Sequence, residues 1–505
     1  MATTEVDLVR TGVSGLDHIL YGGIPRGNII LLEGEIGTGK TTLGTEFAYR
    51  GAKEFGEPAV IVVFEVSPDK LARDAAGLGW DLSELEGQER LKIIFTTREV
   101  FLQELQQADS LLIDEANKIG ARRIFIDGTA GSCSLDGENS RDTFHVLAQS
   151  LQRENLTAVM AFEADAMRGG DSAAPYEAAI ADTVIRLRVE ENQRAASRSI
   201  EIVKSRGHDF QMGRHSFRIV NGHGIQVYRR VQAPRASNRE RAAAFDPSTR
   251  VSTGVPGLDE LVNGGYFLGS TTVVAGISGV GKSVMALHYM AEGARLGERS
   301  LMLSLDEQVP QILRNGLSIG IDLQTAIDRG VVQLQYDAPQ EIEIDHHFHK
   351  IERLVEEFQP KRVVIDSIST YGSSLGTEGR LFRDFFHALV ALMKEHQIAA
   401  IYNHENPEML GMSRMMGGLA MSSLVDNILL LNFVELGDTF RLGLTVAKMR
   451  SNPVTRVTRE CEVVNGQGMR VLPRQLPLPK TAFSGYYGLI SRSPERRPPE
   501  TEVEE

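Results

Sequence analysis

A glycine-rich segment, Gly34-Glu35-Ile36-Gly37-Thr38-Gly39-Lys40-Thr41, returns 242 positions later as Gly276-Ile277-Ser278-Gly279-Val280-Gly281-Lys282-Ser283. A second motif keeps the same spacing, because residues 11–17 read TGVSGLD and residues 253–259 read TGVPGLD. Matches that hold one register over this distance indicate a duplicated domain rather than a solenoid repeat. We expect a first domain at residues 1–230, a linker at 231–251, a second domain at 252–475 and a C-terminal tail at 476–505.

Each copy alternates short apolar runs with helix-length amphipathic stretches. The apolar runs are residues 28–33, 59–64, 123–127 and 158–162 in the first copy, and 271–275, 300–305, 362–366 and 399–403 in the second. Continuous apolar runs that alternate with helices are typical of a mostly parallel sheet covered on both faces. The predicted fold class is therefore α/β.

The composition narrows the classes of function. With 505 residues and a formal net charge of −13, the chain is more than one small domain and lacks the bulk positive charge of a non-specific nucleic-acid binder. Cys133 and Cys461 match no metal-ligand spacing, which fits a reducing cytoplasm. No signal peptide or membrane span is evident, so we predict a soluble, cytoplasmic protein. The arginine-rich segment 229–250 is predicted to be a polar linker, with a nucleic-acid-binding arm as the alternative.

Both glycine-rich segments match the P-loop pattern G-x-x-x-x-G-K-[ST]. The glycines let backbone N–H groups turn toward phosphate oxygens, the lysine reaches the β- and γ-phosphates, and the hydroxyl takes one Mg²⁺ position. A predicted strand precedes each segment and a predicted helix follows, so the phosphates would meet a helix N-terminus. We predict two Mg²⁺·ATP sites, built from Gly34, Gly37, Thr38, Gly39, Lys40, Thr41 and Thr42, and from Gly276, Ser278, Gly279, Val280, Gly281, Lys282, Ser283 and Val284.

Carboxylates at strand ends supply the acidic groups that these sites need. Asp127 and Asp366 each end an apolar strand, as Walker B residues do, and we predict that they hold the metal with Thr41 and Ser283. The alternative for each aspartate is an ordinary cap or turn residue.

A general base is expected at the end of the strand next to the P-loop strand. The first copy has Glu65 followed by Val66 there, whereas the second has Asp306 followed by Glu307. The predicted catalytic residues are thus Glu65, Asp306 and Glu307, with solvated turn carboxylates as the alternative. The first domain therefore has one candidate base and the second has two.

Together with Lys204-Ser205-Arg206 and Lys448-Met449-Arg450, these motifs resemble the KaiC family, the tandem RecA/DnaB-like ATPases and autokinases of bacterial circadian clocks. The resemblance runs from about residue 9 to about residue 494. It implies tandem duplicated RecA-like P-loop NTPase domains and a two-tiered homohexameric ring with ATP between neighbouring subunits. It also implies that both K-x-R motifs reach the neighbour's ATP, with an ordinary edge strand as the alternative.

The resemblance places phosphoacceptors at Ser422 and Ser423, ahead of Asp426, where the first copy has Ala178-Ala179. Hydroxyls occur only in the copy that also has Asp306-Glu307, so acceptor and candidate base occur together. A helix cap is the alternative for the serines.

We therefore predict an ATPase and serine/threonine autokinase whose second domain phosphorylates these serines across the subunit interface, in clock or environmental signalling. The alternative is a RecA- or helicase-like DNA-associated motor, although residues 128–142 and 367–384 contain no lysine. A KaiB-like partner is expected. The short acidic segment after Pro494 lacks most of the family's KaiA-binding region, so we expect KaiA-independent behaviour.

Overall fold

The computed structural model describes residues 6–106, 110–128, 139–163, 175–192, 195–232, 248–375, 380–405 and 421–477. The chain divides into two compact units, Met1–Arg230 and Val231–Glu505. Most of the predicted linker (233–247), the predicted tail from residue 478 onward, and Cys133 lie outside the described residues. Among the residues that are described, no helix is both long and apolar enough to cross a membrane.

The first unit contains one nine-stranded sheet and a small two-stranded one. The strands are β1 (Leu8–Val9), β2 (Ile24–Pro25), β3 (Ile29–Gly34), β4 (Ala59–Val63), β5 (Leu91–Phe95), β6 (Arg123–Asp127), β7 (Thr157–Glu163), β8 (Thr183–Asn192), β9 (Ala195–Ser205), β10 (Arg214–Val220) and β11 (Gly224–Tyr228). The helices are α1 (Leu16–Ile19), α2 (Lys40–Glu54), α3 (Pro68–Gly77), α4 (Leu82–Gly87), α5 (Arg98–Gln106), α6 (Leu111–Lys118), α7 (Asn139–Arg153) and α8 (Pro175–Ile180). The large sheet has the order β11-β10-β9-β8-β3-β7-β6-β4-β5. Its strands run parallel from β8 to β5, and β9, β10 and β11 continue it with antiparallel pairs.

The second unit repeats this plan. Its strands are β12 (Arg250–Val251), β13 (Tyr266–Phe267), β14 (Thr271–Gly276), β15 (Ser300–Ser304), β16 (Val332–Tyr336), β17 (Arg362–Asp366), β18 (Ala399–Glu405), β19 (Asn427–Leu436), β20 (Thr439–Met449), β21 (Thr458–Val464) and β22 (Gly468–Leu476). Its helices are α9 (Leu258–Leu261), α10 (Lys282–Leu296), α11 (Val309–Ser318), α12 (Gln324–Asp328), a 3₁₀ turn (Pro339–Glu341), α13 (Ile344–Phe358), α14 (Ile368–Leu375), α15 (Arg380–Glu395) and α16 (Met421–Leu424).

The order of the second large sheet, β16-β15-β17-β18-β14-β19-β20-β21-β22, matches the first strand for strand when read from the other end. The predicted fold class of tandem RecA-like α/β domains is thereby confirmed. Helices cover both faces of the parallel part, so consecutive residues of a central strand are all buried, as from Ile29 to Leu32. This explains why the central strands read as unbroken apolar runs.

The strands β11 and β22 each lie at one end of their large sheet. Each is hydrogen-bonded to a side chain of the P-loop helix, and that side chain differs between the units. In the first unit Glu46 Oε2 accepts the backbone N–H of Ile225 at 2.7 Å. In the second unit His288 Nε2 accepts the backbone N–H of Met469 at 2.8 Å. Burial raises the pKa of Glu46 to about 7 against the hydrogen bonds that it accepts, whereas burial lowers the pKa of His288.

The contributions of these two side chains to stability should therefore depend on pH in opposite directions. Folded Glu46 keeps its proton between about pH 4.5 and 7 while the unfolded chain has released it, so its contribution to the stability of the first unit falls as the pH rises through this window. His288 must be neutral to accept the Met469 N–H, so its contribution to the stability of the second unit falls as the pH drops below about 6.5.

Calorimetric unfolding at pH 5.5 and pH 8 would measure both effects as differences between wild type and the variants Glu46→Gln and His288→Asn. We expect the Glu46 difference in unfolding free energy to change by roughly 2 kcal/mol across this range, and the His288 difference to change with the opposite sign. Differences that move in the same direction would contradict the assignment.

Candidate functional site

Each P-loop lies at the carboxyl end of the central strand of its sheet. In the first unit it joins β3 to α2, and in the second it joins β14 to α10. Gly39 and Gly281 are the N-caps of these helices, with φ of 104° and 94°. Glycine adopts such angles without steric cost, so each helix begins at the P-loop lysine with its first N–H groups facing the loop.

The P-loop lysines lie against their own loops. Lys40 Nζ donates to the carbonyl oxygens of Gly34 and Glu35, both at 2.8 Å. Lys282 Nζ repeats this with the first two residues of its own loop, at 2.9 and 2.8 Å. Burial lowers the pKa of both lysines, and nearby carboxylates oppose that effect. Each ammonium group is thus enclosed by the loop that would bind the phosphates.

The other predicted nucleotide-binding residues surround these lysines. Thr38 is fully buried, and its hydroxyl donates to the Glu35 carbonyl oxygen at 2.8 Å. Val280 is buried at the same place in the second loop. The remaining ones lie in the loops or in the first helical turns: Gly37, Thr42, Ser278, Gly279 and Val284.

A hydroxyl and a carboxylate meet beside each P-loop. Thr41 Oγ1 donates to Asp127 Oδ2 at 2.8 Å, and Ser283 Oγ donates to Asp366 Oδ2 at 2.7 Å. Burial raises the pKa of both carboxyl groups, and these hydrogen bonds oppose the rise. No group of three or more His, Cys, Asp or Glu side chains suited to a metal occurs in the described parts of the chain. One hydroxyl and one carboxylate per site fit Mg²⁺, which takes few protein oxygens and relies on phosphate and water for the others.

Glu65 lies two residues beyond the end of β4. The expectation that this strand is next to the P-loop strand is wrong, because β6 and β7 lie between β4 and β3. The Glu65 carboxylate is instead close to Asp127 at the end of β6, where it adds to the effect of burial in raising the pKa of Asp127. Arg98 Nη2 donates to Glu65 Oε1 at 2.6 Å.

Asp306 and Glu307 occupy the corresponding place in the second unit. Both lie close enough to Asp366 to add to the dominant effect of burial in raising its pKa. The hydroxyl of Thr370 donates to Asp306 Oδ1 at 2.7 Å, and Asn315 Nδ2 donates to Glu307 Oε2 at 3.0 Å. The second unit therefore brings two acidic side chains near its Walker B residue.

Lys204 and Arg206 lie at the other end of the parallel strands of the first sheet, where these strands begin. Lys204 on β9 pairs with Val184, close to the beginning of β8. Its Nζ donates to three carbonyl oxygens at and just after the C-terminal end of α8, at 2.6 to 3.0 Å. Arg206 Nη2 donates to one of these oxygens at 2.7 Å. The β9 strand lies between β8 and β10, so it is not the edge strand of the alternative interpretation.

Lys448 and Arg450 repeat this placement in the second unit. Lys448 Nζ donates to the carbonyl oxygen of Val425 at 2.7 Å, and Arg450 Nη2 donates to that of Ser423 at 2.5 Å. The predicted acceptor Ser423 thus lies beside a predicted phosphate-binding cation. Ser422 belongs to the same helix, α16, but its side chain lies outside the described residues.

The two ends of the parallel strands in each sheet therefore carry different groups. We call the line along which these strands end the carboxyl edge, and the line along which they begin the amino edge. The P-loop, the Walker B aspartate and the candidate bases are at the carboxyl edge, and the K-x-R motif, with Ser205 or Met449 at its centre, is at the amino edge. The strands β3 and β14 have 6 residues each, which corresponds to a span of about 20 Å. No side chain bridges that distance, so neither K-x-R motif can serve the P-loop of its own domain.

Three partners of the candidate bases were missed by the sequence reasoning: Arg98, Thr370 and Asn315. Arg98 begins α5 after β5, where nothing in the local pattern links it to Glu65. Thr370 follows the Walker B strand within the hydroxyl-rich segment Ser367-Ile368-Ser369-Thr370, and those hydroxyls were an available signal.

Comparison with known proteins identifies relatives along nearly the whole chain. The family model described as "ATPase: KaiC" matches residues 9–232 and 251–476. The circadian clock oscillator protein KaiC of Parasynechococcus marenigrum is 31% identical over 97% of this chain and 94% of its own length. That of Prochlorococcus marinus is 30% identical over 97% and 96%, and that of Rippkaea orientalis is 31% identical over 98% and 92%.

The two P-loops should bind nucleotide independently. Lys40→Ala and Lys282→Ala each remove an ammonium group that would contact phosphate, and loss of such a charged hydrogen bond weakens binding by about 10- to 100-fold. Equilibrium dialysis with free ATP near the wild-type Kd, where half of the intact sites are filled, should give about one bound ATP per chain for wild type, about half of that for each single variant and almost none for the double variant. An unchanged stoichiometry in either single variant would contradict the assignment of that loop.

Proposed function

Because the chain belongs to the KaiC family of ATPases, we propose that its second domain is a serine autokinase that acts between neighbouring copies of the chain. In this proposal the first domain hydrolyses ATP and supports a two-tiered homohexameric ring. Each ATP lies between a P-loop of one subunit and a K-x-R motif of the next.

One observation carries the proposal. Ser423 and Arg450 lie together at the amino edge of the second sheet, while Lys282 lies at the carboxyl edge, one strand length away. Acceptor and trans cation are therefore on one side of the domain, and the nucleotide loop is on the other. A reaction between them needs the carboxyl edge of a second copy.

The chemistry follows from the residues on each side. The hydroxyl oxygen of Ser422 or Ser423 attacks the γ-phosphorus in line, its proton passes to Asp306 or Glu307 of the neighbouring subunit, and ADP leaves with the bridging oxygen. Lys282 on one side and Arg450 on the other neutralise the charge of the transferred group. Bound Mg²⁺ would add charge neutralisation on the β- and γ-phosphate oxygens.

Phosphorylation at this helix would also supply a signal. A phosphoserine adds about −1.5 to −2 charges beside Asp426 and Arg450, which form an ion pair at 3.3 Å. Added negative charge competes with Asp426 for the cation, so the subunit junction would pack differently in its phosphorylated form. We propose that a KaiB-like partner distinguishes these forms in clock or environmental signalling.

Intact-mass measurement after incubation with Mg²⁺·ATP tests the autokinase. Wild type should gain phosphate, and Ser422→Ala/Ser423→Ala should gain none, because the acceptor hydroxyls are absent. Absence of phosphate on wild type, together with stimulation of ATP hydrolysis by single-stranded DNA, would favour a DNA-associated motor instead.

A mixture of two inactive chains tests the transfer between subunits. Lys282→Ala keeps the serines but loses the second ATP site, and Ser422→Ala/Ser423→Ala keeps the site but loses the acceptors. Alone, neither chain should gain phosphate, whereas after co-assembly the Lys282→Ala chain alone should gain it. Co-purification through a tag on one chain verifies the mixing, and a Lys282→Ala/Ser422→Ala/Ser423→Ala chain is the control. Phosphate on wild type but not on verified mixed assemblies would show transfer within one chain.

A further inference from the structure

Arg98 connects the ends of three neighbouring strands at the carboxyl edge of the first sheet. It follows β5, its Nη2 donates to Glu65 Oε1 beyond β4 at 2.6 Å, and its Nε donates to the carbonyl oxygen of Gly128 beyond β6 at 3.0 Å. In the sheet β4 lies between β5 and β6, so the guanidinium group extends across the strand that carries the candidate base. Gly128 directly follows the Walker B residue Asp127.

The arginine is the better-fixed member of this pair. The Glu65 side chain is 75% exposed, whereas that of Arg98 is 27% exposed. The guanidinium carbon lies 5.9 Å from the centre of the Phe64 ring, and Phe64 itself packs edge to face against Phe101. Within the described residues no other hydrogen bond or ion pair involves the Glu65 carboxylate. Its orientation therefore depends on Arg98.

The second unit contains no corresponding cation in the described residues. Asp306 is held by the neutral hydroxyl of Thr370 at 2.7 Å. The residue after β16 is Asp337, and it is directed to Lys350 and to His347 Nδ1, 3.6 Å away. The arginine is thus not part of the duplicated framework but a property of the first domain.

The first unit depends on a single candidate base, because Val66 stands where the second unit has a second acidic residue. The second unit has two acidic residues, Asp306 and Glu307, at the position where the first has Glu65 followed by apolar Val66. An exposed carboxylate that acts alone loses much of its effect if it rotates away from the water, because catalysis by a general base requires hydrogen-bond reach. A bond to one oxygen removes that freedom and leaves the other oxygen available.

We propose that Arg98 is a positioning residue for ATP hydrolysis in the first domain. It holds Oε1 of Glu65, so that Oε2 accepts the proton of the attacking water while the water oxygen bonds to the γ-phosphorus and ADP leaves with the electron pair of the broken bond. Arginine has no acceptor and stays protonated, so it takes no proton itself. This inference rests on the proposed role of Glu65 as the base.

The experiment uses the full chain with Lys282→Ala, so that the measured hydrolysis reports on the first domain. Arg98→Met keeps the stem that packs near Phe64 and removes both hydrogen bonds. We expect kcat to fall about tenfold with KM for ATP within about twofold, because the water's acceptor is disturbed but the P-loop is not. Arg98→Lys, which keeps the charge and a donor, should recover kcat to within about threefold of the parent.

A double-mutant cycle shows whether Arg98 acts through Glu65. Glu65→Gln should lower kcat about a hundredfold, and Glu65→Gln/Arg98→Met should be no slower than Glu65→Gln alone. Arg214→Met, which removes another exposed ion pair of the first unit, with Glu190 at 3.1 Å, is the matched control and should leave kcat unchanged.

The outcomes separate the two claims. If Glu65→Gln hydrolyses ATP as fast as its parent, the assignment of the base is wrong and the inference falls with it. If Glu65→Gln is slow but Arg98→Met keeps or raises kcat, Arg98 does not position the base and only this inference is overturned. A thermal unfolding temperature of Arg98→Met equal to that of Arg214→Met excludes a general loss of stability as the cause of a lower kcat.

Discussion

The parallel direction of the strands is the constraint on which both units depend. Once β3 and β14 lie between parallel neighbours, the carboxyl ends of six strands meet along one edge of each sheet. The loops that follow these ends carry the P-loop, the Walker B aspartate and the candidate bases, as expected for ligand sites in such sheets. The antiparallel partner of the last parallel strand must end at the other edge. For this reason the K-x-R motif at the end of β9 or β20 is remote from the P-loop of its own domain.

Duplication has kept this framework while the side chains around it have diverged. Both units bury an arginine at the start of the Walker B strand, where Arg123 bonds Glu57 at 2.7 Å and Arg362 bonds Glu298 at 2.8 Å. Elsewhere the carboxylate of Glu46 in the first unit is replaced by the imidazole of His288 in the second. Each of these side chains accepts a hydrogen bond from the equivalent backbone N–H of its own unit. The framework therefore tolerates chemical change wherever geometry is maintained, and the candidate bases at the carboxyl edge also differ between the units.

The sequence predicts the features that local constraints determine. Glycines at fixed spacing define the P-loops, and unbroken apolar runs define the parallel strands, so both were placed within one or two residues. The neighbours of β4 were not predicted correctly, because strand order depends on crossovers between distant segments. Arg98 and the buried Arg123 were missed for the same reason: a charged residue at the start of a helix or strand looks exposed until its partner, 33 or 66 positions away, is known. Pairing over such separations leaves no periodic signal.

Asp182 and Asp426 connect the amino edge of each sheet to the strand that ends in the P-loop. Asp182 Oδ2 accepts the first backbone N–H of β3, from Ile29, at 3.1 Å, and Asp426 Oδ2 accepts that of β14, from Thr271, at 3.0 Å. The strand that ends in each P-loop is therefore anchored, at its start, to the residue beside the K-x-R cations. If these cations serve a neighbour's ATP, as proposed, every copy offers one half of a site at each edge. Such a contact is heterologous, because different surfaces meet, and it satisfies all sites only when the assembly closes into a ring. In such a ring β3 or β14 would connect the cation junction of each copy to the phosphate loop of the same copy, so successive nucleotides would be joined through a single strand.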